Sequence, residues 1–227
     1  MENVDEDSHN IFACLLWIVW YARNTKTYQN KELEHQWCFN FAIRRLEEHR
    51  TSIEGIPDTK QPPRSATWRK PEIEWIKINT DASILQGSRT GIGVALRDHD
   101  GKIVSTLTRF FTAEMEVNVA EAIACKKGLT YAKTLGLRKI ELETDNVTVY
   151  KKIKESAPDL SYMGTVIGDI KDLFLYFDSV YISCVRRTGN GVAHLLAQYA
   201  FSFSDLDPII GVMPEHICNV ANLEASY

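Results

Sequence analysis

Cysteine is scarce in this chain and nowhere paired by spacing. Cys14, Cys38, Cys125, Cys184 and Cys218 are odd in number and widely spread, with no CxxC and no Cys/His cluster. That excludes a zinc ribbon or finger, and it fits reduced thiols packed as small hydrophobes in an intracellular, soluble protein. Long apolar runs are also lacking. Ile11–Trp20 (IFACLLWIVW) is too short to span a bilayer, and acidic Glu2, Asp5, Glu6 and Asp7 stand where a secretory leader would be basic. No excess of positive charge announces a polyanion partner: 26 Lys plus Arg face 30 Asp plus Glu, for a net charge of −4. Internal repeats and low-complexity segments are absent, so solenoids and disordered tracts are excluded as well.

What remains is ordinary globular composition, 44% hydrophobic and 25% charged over 227 residues, enough for one good domain with extra segments. Residues 1–49 read as two helices, one nearly apolar all round at Ile11–Arg23 and one over about Lys31–Glu48 carrying Trp37, Phe41 and Leu46. Residues 50–67, with Pro57, Pro62 and Pro63 among polar neighbours, read as a linker. The main domain is expected at 68–204, and 205–227, with weak periodicity, as a C-terminal tail. Within 68–204 there are 18 basic against 16 acidic residues, and 18 against 13 if three carboxylates named below hold metal, a balance compatible with a polyanion.

The main domain is organised around Trp75–Ser83, WIKINTDAS. Ile76 and Ile78 alternate with Lys77 and Asn79, and the strand pattern closes on Asp81. Lys139–Asn146, KIELETDN, repeats the form and closes on Asp145. Between them Gly91–Arg97 and Lys102–Phe111 read as strands joined by a tight Asp98-His99-Asp100-Gly101 turn; this DxDG lacks the downstream Glu of an EF-hand loop. Glu116–Leu135 reads as a helix in which Ala120, Ala124, Gly128 and Ala132 recur every four residues, a stripe that lets a helix lie close on a sheet, with Glu121 beside it. Further helices are expected over Val147–Glu155, Ser161–Phe177 and Asn190–Phe203, and a fifth strand over Ser179–Val185.

A strand–helix–strand crossover is right-handed and parallel. If the fourth strand pairs with the first, Asp81 and Asp145 lie side by side at one end of the sheet, where α/β proteins place ligands. The helix can bring Glu121 to the same point. Strand-end Asp residues are most often turn formers; the parallel placement of two, with Glu121, is what suggests a divalent metal site.

This order of elements, with D…E…D at these places, resembles the type 1 ribonuclease H family, and more narrowly the retrotransposon-derived ribonuclease H-like proteins of plants. The segments that carry the resemblance are NTDAS (79–83), GIGVALRDHDG (91–101), AEAIACKKGLTYAKTLGL (120–137), ETDN (143–146) and VRRTGNGVAHLLAQYA (185–200). The LLWIVWYARN stretch (15–24) is similar to what precedes this domain in such elements. The resemblance implies an α/β fold with a five-stranded mixed sheet of order 3-2-1-4-5 flanked by helices. It implies Asp81, Glu121 and Asp145 as catalytic metal ligands, two Mg²⁺ (or Mn²⁺) ions, and hydrolysis of RNA in RNA–DNA hybrids.

The chain departs from the family at three places. His194 stands where a fourth acid is expected on the last helix, in register with Asn190; it is either a softer ligand or a polar residue on a helix face. The loop Arg186–Gly189 holds no histidine, and the basic helical insertion of some bacterial members is missing. Asn79, Ser83, Arg186, Arg187 and Asn190 are implied contacts to nucleic acid, with helix capping the competing role for Asn190 and a solvated strand end for the two arginines. Two functions follow: a metal-dependent ribonuclease, or a domesticated binding module that has kept the fold and lost useful turnover. A transposase-like enzyme would need an acid at His194, and a DEDD exonuclease would read Asp-x-Glu where this chain reads Asp81-Ala82-Ser83.

Overall fold

The computed structural model describes residues 65–85, 87, 89–155, 159, 161–203 and 208–226, together with the helical residues Leu16, Val19, Arg23 and Lys26. The chain divides into two units, Met1–Thr59 and Lys60–Tyr227. Apart from those four residues, the two expected N-terminal helices lie outside the described part, as does most of the linker. Among the described residues no helix is long and apolar enough to cross a membrane.

The second unit is built on one mixed sheet. Strands β1 (Ile76–Leu85), β2 (Arg89–Arg97) and β3 (Ile103–Phe111) form an antiparallel meander. Helix α1 (Val117–Thr134) then crosses to β4 (Lys139–Thr144), which lies parallel to β1. Helices α2 (Val147–Lys154) and α3 (Tyr162–Phe174) lead to β5 (Ser179–Cys184), parallel to β4. A turn of 3₁₀ helix at Arg187–Gly189 precedes α4 (Gly191–Tyr199). The order β5-β4-β1-β2-β3 agrees with the sequence reading, and a two-residue strand, β6 (Ile209–Ile210), adds a sixth strand beside β3.

Two residue patterns set the layers. On one face Ile78, Ile92, Val94, Ile140 and Leu142 pack against α1 and α3 with Leu129, Ile167 and Ile170. The small-residue stripe of α1 is buried there, and a Cβ on Gly128 would come within 3.0 Å of both Ile78 and Thr80 side chains, which is why the helix can sit so low. On the other face α4 rides directly on β2. A Cβ on Gly93 would lie 2.3 Å from the Ala193 carbonyl oxygen, and one on Gly91 closer still to that of Ala197. Two glycines in one strand therefore admit a helix backbone in contact with the sheet.

Two expectations change. Strand β1 does not end at Asp81: its antiparallel ladder with β2 runs on to Leu85, whereas its parallel ladder with β4 stops at Thr80 opposite Thr144. Asp81 thus stands where the sheet loses its neighbour on one side. The segment expected as a tail contains β6 and a helix, α5 (Glu215–Ala225), with Ile217 and Ala221 buried against Ala95, Val192 and Leu196.

Candidate metal centre

The parallel register of β1 and β4 pairs Thr80 with Thr144, so the next residue of each strand, Asp81 and Asp145, emerges at the same edge. Residue alternation along β1 sends Lys77, Asn79 and Asp81 to the α4 face. Glu121 reaches the edge from the first turns of α1, whose N-terminus is capped by Glu116 accepting from the Val119 amide. One oxygen from each of Asp81, Glu121 and Asp145 lies within 4.8 Å of the others. Asp81 is fully buried and Glu121 nearly so.

Crowding three carboxylates in a dry place has electrostatic consequences. Burial, then the charges of Asp81 and Asp145, push Glu121 up to about 9. Burial also raises Asp81, against a hydrogen bond from His194. Glu121 Oε2 is buried with no hydrogen-bond partner among the described residues. A buried acceptor without a partner, on a carboxylate that belongs to an acidic cluster, fits a hard divalent cation, which prefers carboxylate oxygen.

Two cationic or ambivalent groups also enter. His194, one turn into α4, has Nδ1 3.0 Å from Asp81 Oδ2. Its position follows from the glycine contact: Gly93 is the register partner of Asp81, and the carbonyl of Ala193 rests on Gly93. Arg187, in the 3₁₀ turn, donates from Nη1 to Asp81 Oδ1 at 2.6 Å and to Asp145 Oδ2 at 3.0 Å, while its Nη2 lies 2.7 Å from His194 Nδ1. Partial burial opposes the Arg187 charge, but Asp81 and Asp145 outweigh it and hold its pKa above the ordinary value.

The remaining residues singled out from sequence have different surroundings. Asn79 is fully buried: its Oδ1 accepts from Trp68 Nε1 at 2.9 Å, and its amide donates to Glu143 at 2.9 Å and to Asn190 Oδ1 at 3.3 Å. Asn190 is equally buried and donates to the Thr80 carbonyl at 3.0 Å; its side chain makes no helix-capping bond. These two asparagines join β1, β4 and α4, and neither amide faces solvent. Ser83 lies further along β1, half-buried, opposite Gly91. Arg186 is exposed, and its backbone amide donates to the Ser65 carbonyl. Trp68, Glu143 and Lys77 were not read as site residues. Lys77 bridges Glu141 and Glu143 at 3.1 and 3.2 Å, and its alternation with Asn79 and Asp81 was the available signal.

Residues 79–200 match the reverse transcriptase-like family. The chain belongs to this family. No curated protein sequence matches the chain. Among solved structures, ribonuclease H1 of the halophilic archaeon Halobacterium salinarum is similar at 24% identity and a TM-score of 0.52, covering 56% of this chain and 98% of its own. The N-terminal ribonuclease H domain of a Mycobacterium tuberculosis protein gives 19% identity and a TM-score of 0.52, with 56% and 94% covered. LC11-RNase H1 in complex with an RNA/DNA hybrid gives 19% identity and a TM-score of 0.50, with 56% and 96% covered. These likenesses establish a ribonuclease H-like fold for this member of the reverse transcriptase-like family. Asp81, Glu121, Asp145, Arg187 and His194 all fall inside its matched span.

Proposed function

We propose that this protein is a metal-dependent endonuclease that hydrolyses the RNA strand of RNA–DNA hybrids, of the retrotransposon-derived type found in plants. The observation that carries this reading is the convergence of Asp81, Glu121 and Asp145 within 4.8 Å, with one Glu121 oxygen left without a partner among the described residues. Asp81, Glu121 and Asp145 would hold Mg²⁺ or Mn²⁺, two ions in the full assembly, with His194 as a fourth ligand. Bound divalent ions supply an activated water and stabilise the leaving oxygen. The chain's own part is positional. Burial of Asp81 and Glu121 makes their negative charge costly until a cation arrives, so the site favours cation capture over solvent exposure. Ser83, half-buried, and Arg186, exposed, would touch the nucleic-acid backbone, with exposed Arg187 beside the carboxylates. Asn79 and Asn190 would support it by fixing α4 on β1.

A second reading, a nucleic-acid-binding or protein-interaction module with weak turnover, is favoured by one observation. The Arg187 guanidinium bonds two of the three carboxylates, and His194 replaces an acid. A metal ion must displace or share with that guanidinium.

One assay separates the two. Purified protein is offered an RNA–DNA hybrid with Mg²⁺ and with Mn²⁺, beside an Asp81→Asn control. Cleavage that the control loses supports the nuclease. Retention of the hybrid without cleavage in either metal supports the binding module.

A further inference from the structure

Helix α5 lies beyond the matched span of residues 79–200, yet it reaches back to the elements that build the centre. Its last turn carries Glu224, whose side chain is turned inward. Glu224 Oε2 accepts from Arg97 Nη2 at 2.5 Å, a fully buried arginine on β2 whose guanidinium lies 4.2 Å from the Trp68 ring centroid. The other oxygen, Oε1, has no hydrogen-bond partner among the described residues and stands against the first residue of α4: a Cβ on Gly191 would lie 2.8 Å from it. Isolated inward charge of this kind is costly, and replacing both partners of a buried pair by apolar groups is often neutral for stability. A carboxylate beside the first turn of a helix, in contrast, interacts favourably with the exposed amides and the positive end of the helix dipole. Asn190, just before α4, leaves those amides without a side-chain cap: its Oδ1 accepts from the Asn79 side-chain amide at 3.3 Å instead.

We infer that Glu224 is a positioning residue for the candidate metal centre, wedged between Arg97 and Gly191 so that the first turn of α4 is held down on β1 and β2. Its path to the centre is short. Gly191 follows Asn190, which bonds the Thr80 carbonyl at 3.0 Å, and precedes His194 by three residues, whose Nδ1 lies 3.0 Å from Asp81. Loosening that turn releases both contacts together while the hydrophobic seat of α4, Val192 and Leu196 against Ile217 and Ala221, stays in place. The inference rests on the reading of the centre given above, but its first readout does not require activity.

The full-length chain carrying Arg97→Met with Glu224→Met removes the wedge without stranding a buried charge. Amide hydrogen exchange is read across α4, together with the side-chain amide signals of Asn190, against the β1–β4 core. The expected result is at least tenfold faster exchange in the first turn of α4 and at the Asn190 side chain, with core exchange unchanged. Where the wild-type protein cleaves hybrid, kcat falls about tenfold with little change in KM. Wild-type protection of the α4 first turn in this variant overturns the inference. Should the double variant fail to fold, Gly191→Ala tests the same contact, since its Cβ displaces Oε1 and leaves Arg97 untouched; unchanged α4 exchange there overturns the inference equally. A wild-type protein that cleaves nothing, with α4 loosened as expected in the variants, would remove the nuclease reading and keep Glu224 in its role.

Discussion

Arg187 Nη1 donates to Asp81 Oδ1 at 2.6 Å, which puts a fixed positive charge against the most deeply buried carboxylate of the cluster. A guanidinium cannot lose its proton in this range, so it neutralises Asp81 and Asp145 without any exchange of solvent ions. A divalent cation approaching the same oxygens meets like charge and loses two acceptors. Arg187→Ala is therefore expected to tighten Mg²⁺ and Mn²⁺ binding. Because the guanidinium is half-exposed, the gain is modest, on the order of twofold to fivefold, the worth of a partly screened ion pair. Calorimetric titration of the metal-free protein checks it; a weaker or unchanged affinity would show that Arg187 does not compete.

The acidic triad makes metal-free stability depend on pH. Glu121 is pushed up to about 9 in the folded protein, first by burial, while an unfolded glutamate titrates near its ordinary value of 4.5. The folded state therefore holds a proton that the unfolded state releases between these values. Its stabilising effect is complete below about pH 4.5 and is lost as pH rises through 9. The melting temperature of the metal-free protein should fall from pH 5 to pH 9, and Glu121→Gln, which keeps the neutral form at every pH, should flatten that slope. Divalent metal, which binds the ionised form, should release protons on binding, measurable in buffers of different ionisation enthalpy.

Asp145→Asn removes one carboxylate charge from the cluster while leaving the strand ladder intact, since β4 ends at Thr144. Folding should be retained and the stabilisation by Mg²⁺ or Mn²⁺ reduced. Thermal melting with and without metal reads this directly: a variant that gains as many degrees from metal as the wild type would remove Asp145 from the ligand set.

How far the sequence disclosed this centre depends on the period of each element. Ile76/Ile78 and Ile140/Leu142 alternate cleanly because one face of β1 and β4 is buried under α1, and that alternation alone places Asp81 and Asp145 at one edge. The every-fourth-residue stripe of α1 did the same for Glu121. The 3₁₀ turn at Arg187–Gly189 has no such period, so nothing in the sequence distinguished an Arg187 turned inward from a solvated one like Arg186. The length of β1 was hidden for another reason: its last five residues are held by β2 alone, and Ala82, Ser83 and Ile84 carry no alternation. Helix α5 was missed because its buried face rests on only Ile217, Ala221 and Glu224, and one of these is a charge that normally signals solvent.

Gly93 is where the sheet admits α4, and the atoms that a Cβ would meet are backbone, 2.3 Å from both the Ala193 oxygen and the Ala197 nitrogen. Backbone cannot rotate away as a long side chain can. Gly93→Ala should therefore lift α4 or shift it along β2, costing ~1–3 kcal/mol as overpacking does, or roughly 2–4 °C in Tm for each kcal/mol in a chain of this size. The Ala193 carbonyl neighbours His194, so the same variant should separate His194 from Asp81. A Tm within 1 °C of the wild type, about the scatter of surface substitutions, would mean the helix is not seated on Gly93.

His194→Asp tests the fourth position of the centre. The ring nitrogen sits 3.0 Å from Asp81, beside the carboxylate cluster but outside the set of oxygens that lie within 4.8 Å of one another. Imidazole suits softer divalent ions, and a carboxylate suits Mg²⁺. The substitution adds a negative charge beside Arg187, whose Nη2 now lies 2.7 Å from the His194 ring, so the guanidinium also gains a partner outside the metal-binding oxygens. Both effects act in one direction. Mg²⁺-supported cleavage of an RNA–DNA hybrid should rise relative to Mn²⁺-supported cleavage, and Mg²⁺ should raise the melting temperature more than in the wild type. Adding a further carboxylate also has a cost: without metal, the variant should melt below the wild type at pH 8, because burial already disfavours ionised Asp81 beside it. A variant with the same metal preference and the same metal-free stability as the wild type would make His194 a bystander on α4 and strengthen the binding-module reading.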